Sequence, residues 1–531
     1  MLLNHLFMKT LPMNIEGFNP RDSYTESPWQ AVDKSNIQLS EPDLSIVYDA
    51  IIVGAGITGI TTALMLQKAG KKCIVLEAAS IGFGTTGGTS AHLNTFFDAT
   101  YPEIENDFGE GAAKLVAESG KESFAIIKDF IDSYLIECDF EYKGAYLYSE
   151  TEKETKELAE LMESSRKAGV DVIEYQDNGV PVPFQLAVHF IDQGQFHPLK
   201  YIYALTEEFL KLGGAIREDS FVSSSSYENE EYQATIGNLS VQGKNLVWAT
   251  HVPPGITPFS FKCAPYRSYV LGVKLKNEAY PIGLTYDMQE PYHYFRTHEI
   301  KGQKYLIVGG EDHKTGHDDP EKAFENLTAY ANKYYRVESI PYRWSSQYYV
   351  PVDGLPYIGQ FTGASEGTYV ATGFNGNGII FGTLSGKIIS DQILGITNKY
   401  SELYSPSRIK PIAGFSEFVK ENADVAWHFV ADRFDVEDMD SIQDLQPGKG
   451  VIAEIKGEKV AVYKDTDGKV TALSPICTHA GCTVQFNEAE RSWDCPCHGG
   501  RFDINGKVIT GPPREDLAKV PLGELDKKST T

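Results

Sequence analysis

Asp49-Ala50-Ile51-Ile52-Val53-Gly54-Ala55-Gly56-Ile57-Thr58-Gly59 is the stretch on which the fold turns. A short uncharged apolar run that stops at a glycine fits a strand buried on both faces. The run enters Gly-x-Gly-x-x-Gly, and a helix-like stretch, Ile60 to Ala69, follows and stops at Gly70. A second apolar strand, Cys73-Ile74-Val75-Leu76, ends in the acid Glu77. Strand, glycine turn, helix, strand and acid make a whole βαβ dinucleotide-binding unit, not a lone glycine triplet. In such a unit Gly54 allows the tight turn, Gly56 lets the backbone approach a pyrophosphate, and Gly59 lets helix and strand pack closely. The pyrophosphate is expected at the helix N-terminus, with Glu77 accepting from a ribose hydroxyl. NAD and FAD both suit the unit.

The second informative region lies near the C-terminus. Cys477-Thr478-His479 and Cys495-Pro496-Cys497-His498 give Cys-x-His and Cys-x-x-His, with fifteen residues between His479 and Cys495. Two thiolates and two imidazoles are the ligand set of a Rieske [2Fe–2S] centre, so Cys477, His479, Cys495 and His498 are the expected iron ligands. Zinc also takes two cysteines and two histidines. The two spacings, the extra cysteines Cys482 and Cys497, and the later Gly511-Pro512-Pro513 favour iron. Cys482 and Cys497 are left over after ligation, one beside each ligand loop, and a disulfide between them would pin the two loops. Cys73, Cys138 and Cys263 are scattered, which is not the pattern of a secreted disulfide framework.

A chain of 531 residues is long enough for two or three domains with cores. Its formal net charge of −25 argues against nucleic acid and anionic membrane surfaces as partners. The first residues, Met1 to Lys9, lack an apolar core followed by a small-residue cleavage site, so a cytoplasmic protein is expected. The uncharged run Ala50 to Leu66 belongs to the βαβ unit, and no membrane span is expected. Patterning divides the chain into an arm over 1–47, a main domain over 48–395, a polar linker over 396–424, an all-β module over 425–520 and a tail over 521–531. Aromatic, alternating strands fall within the main domain, so a β-rich substrate part is expected to be inserted in pieces, over about 140–200 and 260–345.

Residues 48 to 395 resemble the D-amino-acid-oxidase-like flavoproteins, which include glycine and sarcosine oxidases. The resemblance rests on the glycine unit with Glu77, on Gly82-Phe83-Gly84-Thr85-Thr86-Gly87-Gly88-Thr89-Ser90, and on Gln195-Phe196-His197-Pro198. Trp248-Ala249-Thr250, Asp353-Gly354-Leu355-Pro356 and the Ala371 to Gly378 loop match as well. Residues 425 to 520 resemble the disulfide-type Rieske domain. The implied fold is an α/β FAD-binding domain, Rossmann-like and of glutathione-reductase type, with an inserted β-rich substrate domain and a C-terminal all-β Rieske domain. The resemblance implies FAD contacts at Thr85, Thr86 and Thr89, and at Gly373, Asn375, Gly376 and Asn377 around the flavin. It implies substrate-site roles for Arg267, Tyr269, Tyr294 and Arg296, since arginine and tyrosine grip a substrate carboxylate in the family. His313 resembles a position that carries an active-site histidine in sarcosine-oxidase-like enzymes.

Two departures from the families carry information. Hydroxyl-bearing residues that donate toward cluster sulfurs in high-potential Rieske domains are replaced by Gly500 and Phe502. A potential well below the roughly +300 mV upper end is therefore expected. Some sarcosine-oxidase-like enzymes place a lysine over the flavin to help oxygen react, and Gly309 falls at that place here. Oxygen is then expected to be a poor acceptor.

The expected activity is an FAD-dependent dehydrogenase. It would oxidise a small amino acid or N-methylated amine by hydride transfer to FAD, with single electrons relayed through the Rieske [2Fe–2S] cluster. The expected partners are a small-molecule substrate and an external electron acceptor or donor, a carrier protein or quinone-like molecule. A non-catalytic redox sensor or electron-transfer flavoprotein is the alternative. A Rieske oxygenase would also need two histidines and a carboxylate for a mononuclear iron, and no helical Asp/Glu-x-x-His-x₄-His pattern is present.

Overall fold

The strands Ala50–Val53 and Cys73–Leu76 are buried along their whole length and pair in parallel, Ile51 beside Ile74. In the computed structural model they form the centre of a six-stranded sheet. Its order is Tyr357–Gln360, Thr368–Thr372, Leu246–Trp248, Ala50–Val53, Cys73–Leu76 and Ala215–Arg217. Only the edge strand Tyr357–Gln360 runs antiparallel to its neighbour. The helices Ile57–Lys68 and Gly378–Leu394 are apolar around most of their circumference because they pack on this sheet and on each other. The structure describes residues 21, 24–32, 34, 37–361, 363–408, 445–455 and 457–521. Most of the expected arm, the linker from 409, residues 425–444 of the expected Rieske module and the tail from 522 lie outside the described residues.

A nine-stranded sheet stands beside the first. Its path runs through Val337–Pro351, Cys263–Leu275, Gln303–Lys314, His293–Ile300, Leu284–Asp287, Glu141–Ser149, Leu186–Gln195 and His92–Leu93, with Val172–Tyr175 added on Leu186–Gln195. Side chains alternate across it with period two. Tyr269, Leu271, Val273, Phe295, Leu306 and Val308 point to one face, where they meet Phe324 and Leu327 of the helix Pro320–Tyr334. Ser268, Val270, Tyr292 and Tyr294 point to the other face, toward a cavity between the two sheets.

The C-terminal module holds two small antiparallel sheets. Gly450–Ile455, Glu458–Lys464 and Val470–Leu473 form one. Gln485–Asn487, Ser492–Asp494, Arg501–Asp503 and Val508–Thr510 form the other. Trp493 and Phe502 are fully buried in its core beside Cys477, Cys482, Cys495 and Cys497. The module sits on the edge strand Val337–Pro351 of the nine-stranded sheet. Gln347 Nε2 donates to Gly499 O at 2.9 Å, and Tyr349 OH donates to His498 O at 3.2 Å.

Candidate active site and cluster site

The glycine turn admits no side chain where the chain crosses itself. Gly54 has φ +107°, and a Cβ there would lie 2.5 Å from Ala249 O. A Cβ on Gly59 would lie 1.8 Å from Gly54 O, so helix and turn could not close on each other. Thr86 Oγ1 accepts from Ile57 N at 3.1 Å at the start of the helix. Glu77 accepts from Ala55 N at 2.7 Å and from Ala79 N at 3.0 Å, which fixes the carboxylate beside the turn. Burial pushes its pKa up, and those two N–H groups oppose the shift.

From this turn a cavity of about 1310 Å³ runs between the sheets, larger than the usual range for a drug-sized ligand. Gly54, Gly56, Glu77, Thr85, Thr86 and Thr89 line one stretch of it, and Asn375, Gly376 and Asn377 line another. Thr85 Oγ1 donates to Gln347 O at 3.2 Å. Gly376 N donates to Asp98 Oδ2 at 2.6 Å, and Asp98 N donates to Asn377 Oδ1 at 3.1 Å. Asp98, which the sequence reading missed, therefore holds the loop in place. Gly373 faces away from the cavity, and a Cβ there would meet Pro351 Cβ at 3.0 Å and Cys263 Sγ at 3.3 Å. A room of this size beside a glycine turn, with a carboxylate fixed at the ribose position, fits FAD together with a small substrate.

Of the five residues expected to handle substrate, the structure places Tyr294 on the cavity wall. Arg267 and Tyr269 have the opposite parity to Ser268 and point through the sheet. Arg267 Nη2 donates to Ser345 Oγ at 2.6 Å and lies 3.7 Å from Glu490 of the C-terminal module. Tyr269 lies in the core under the helix Pro320–Tyr334; its OH meets Nε2 of the half-buried His313 at 2.8 Å, and the two rings stack. Arg296 shares the parity of Tyr294 but is taken up by backbone. It donates to Ser90 O at 2.8 Å and Ala91 O at 2.6 Å, and packs over Trp29. Tyr294 OH lies 3.0 Å from Ser268 Oγ. Its ring occupies the space opposite Gly309, where a Cβ would come 2.1 Å from Tyr294 Cζ.

Other wall residues were not foreseen. Tyr286 OH lies 2.6 Å from both His92 Nδ1 and Asn94 Nδ2. Tyr286 OH also lies 2.9 Å from Asn94 Oδ1. His92 Nε2 is buried without a hydrogen-bond partner among the described residues. Burial holds the His92 pKa well below the usual imidazole value, so the ring is neutral. Tyr348, also on the wall, donates to Asp312 Oδ2 at 2.8 Å. Burial pushes the Asp312 carboxyl up to about 7. The alternation of His92 and Asn94 after the glycine- and threonine-rich run was the available signal for that pair. Tyr286, Asp312 and Tyr348 carried none.

In the C-terminal module Cys477 and Cys495 are buried thiols, and the rings of His479 and His498 stand 4.8 Å apart. All four ring nitrogens of these histidines are buried without a hydrogen-bond partner among the described residues. Leaving four buried polar atoms bare is costly, and ligation removes that cost. Burial pushes the pKa of His479 down and that of His498 down to about 4, so both rings are neutral as ligands must be. Two thiols and two neutral imidazoles fit a [2Fe–2S] cluster. Cys482 and Cys497 form a disulfide. Gly500 lies under the proline loop, where a Cβ would sit 2.6 Å from Pro513 Cγ and 3.5 Å from Cys477 Sγ.

Comparison with known proteins agrees with both halves. Residues 49–392 match the family described as FAD dependent oxidoreductase, and residues 436–521 match the Rieske [2Fe-2S] domain. YhfW of Bacillus subtilis (strain 168), a protein named for a Rieske 2Fe-2S centre, is 32% identical over 477 residues, covering 89% of this chain and 93% of its own. Gamma-glutamylputrescine oxidoreductase of Escherichia coli (strain K12) is 24% identical, covering 67% of this chain and 86% of its own. The crystal structure of glycine oxidase from Geobacillus kaustophilus superposes with a TM-score of 0.58 at 18% identity, over 68% of this chain and 99% of its own.

Proposed function

The chain belongs to the FAD dependent oxidoreductase family and carries a Rieske [2Fe-2S] domain, and on that premise we propose that it is a dehydrogenase whose electrons leave through the Rieske domain. The substrate class is a small amino acid or an N-methylated amine, oxidised at the C–H bond next to nitrogen. FAD bound in the cavity supplies a hydride acceptor, and the cluster supplies a one-electron carrier.

Gly54, Gly56, Gly59, Glu77, Thr85, Thr86, Thr89 and the Asn375 to Asn377 loop are the proposed FAD contacts. Cys477, His479, Cys495 and His498 are the proposed iron ligands. Tyr294, Ser268, Tyr348 and the neutral His92 would orient the substrate by hydrogen bonds and keep water out. Arg267 and Arg296 do not line the cavity and bond instead to Ser345 and to the carbonyls of Ser90 and Ala91, so neither is assigned to a substrate carboxylate.

The observation that carries the relay is Gln347. Its residue lines the cavity, its backbone oxygen accepts from Thr85, and its side chain donates to Gly499, next to His498. One strand thus forms a wall of both redox sites. The test is an anaerobic titration of the protein with amino acids and N-methylated amines, following flavin absorbance and the Rieske EPR signal together. A compound that bleaches the flavin and then develops the EPR signal supports the reading. If dithionite develops the signal and no amine touches the flavin, the dehydrogenase reading falls and a redox-sensing role takes its place.

A further inference from the structure

The cations of the cavity wall are unevenly distributed between the domains. The main domain contributes the acids Glu77, Asp98, Asp219 and Asp287 to its wall, and the Rieske domain adds Glu490, Asp503, Glu515 and Asp516. Among the described residues, every Lys or Arg on the wall comes from outside the main domain. Arg21 belongs to the N-terminal arm, and Arg491, Lys507 and Arg514 belong to the Rieske domain. A dinucleotide brings a dianionic diphosphate into this space. The N–H groups of the glycine turn and the helix dipole offset its charge only in part.

Arg514 lies on the cavity wall, against the chain that continues past the glycine turn and within electrostatic reach of His479. The strand Leu246–Trp248 runs in parallel beside Ala50–Val53 with Trp248 level with Val53, so the chain that follows it passes along the glycine turn. Gly255 N donates to Pro512 O at 2.8 Å, and Arg514 Nη2 donates to Pro254 O at 2.8 Å. The guanidinium lies over Gly255, 3.1 Å from where a Cβ would be. The acids nearest in sequence are largely engaged in their own turns. Asp516 accepts from Val508 N, and Asp503 accepts from Asn505 N and Lys507 N, while Glu515 also lines the cavity. The same loop, through Pro513, packs on Gly500 beside Cys477. One face of the loop therefore meets the cluster site and the other the dinucleotide cavity.

We propose that Arg514 is a dinucleotide-binding residue supplied by the Rieske domain. Its positive charge faces the diphosphate of FAD, so docking of the domain and retention of the cofactor are coupled. The inference rests on FAD occupying the cavity and is independent of which substrate, if any, is oxidised.

The test uses the full-length protein, stripped of flavin and titrated with FAD and with riboflavin, which lacks the diphosphate. Arg514→Gln should weaken FAD binding about tenfold, as loss of a charge-assisted contact would. Arg514→Lys should keep most of the affinity. Riboflavin binding should not change, and the FAD affinity of the unaltered protein should fall with salt more steeply than that of Arg514→Gln. The Rieske EPR signal reports that the domain is intact. Unchanged FAD affinity in Arg514→Gln, or equal loss of FAD and riboflavin, overturns the proposal. Should Arg514→Gln lack the EPR signal, an unaltered protein whose FAD affinity ignores salt overturns it as well.

Discussion

At the scale of single residues, the chemistry of the two sites turns on a few buried groups. Asp312 keeps its proton to about pH 7 in the folded protein, against about pH 4 for an unfolded carboxyl. Between those values the folded state binds more protons, so this group's contribution to stability falls as pH rises through the window. Asp312→Asn removes that titration. The thermal midpoint of the variant should therefore change less between about pH 5 and pH 8 than that of the unaltered protein. A variant whose midpoint tracks the parent across this range would show that Asp312 is not the titrating group. Phe502 is buried among the ligand cysteines without a hydroxyl to offer them. Phe502→Tyr should raise the cluster potential, read by EPR-monitored redox titration, because a donor to sulfur favours the reduced form. The matching change at Gly500 meets Pro513, so Gly500→Ser should disturb the proline loop before it tunes anything.

At the scale of elements, the strand Val337–Pro351 ties the two sites together. Gln347→Leu removes the bond to Gly499 and Tyr349→Phe removes the one to His498. Stopped-flow mixing of either variant with a bleaching substrate should leave flavin reduction unchanged and slow development of the Rieske EPR signal. Equal slowing of both phases would point to general damage instead. The ligand loops depend on a second tie. The Cys482–Cys497 disulfide closes a separation of 15 residues, and replacing both cysteines by alanine should cost about 3 kcal/mol of domain stability. Calorimetry that finds the Rieske transition unmoved would contradict this.

At the scale of the whole molecule, two domains share one cavity wall, and the C-terminal module contributes residues to it. No helix among the described residues is long and apolar enough to cross a membrane. Residues 503–505, 507–511 and 513–516 of the C-terminal module line the cavity, so its wall is complete only in the full chain.

The sequence by itself determined what is local. The glycine turn with Glu77 and the Cys-x-His and Cys-x-x-His loops each lie within a few residues of chain, so spacing alone fixes which atoms converge. Their chemistry and the two domain types were legible for that reason. The facing of the long strands was not. Alternation told that Arg267 and Tyr269 share a face and Ser268 takes the other, but it cannot tell which face meets the cavity and which meets a helix arriving fifty residues later. Arg296 had the right parity and was still claimed by the carbonyls of Ser90 and Ala91. His92, Asp98, Tyr286, Tyr348 and Arg514 came to the cavity from separate parts of the chain. Only packing of the two sheets and docking of the C-terminal module decided that they meet there. Contacts between residues distant in sequence are set by burial summed over whole elements, and no single stretch of sequence records that sum.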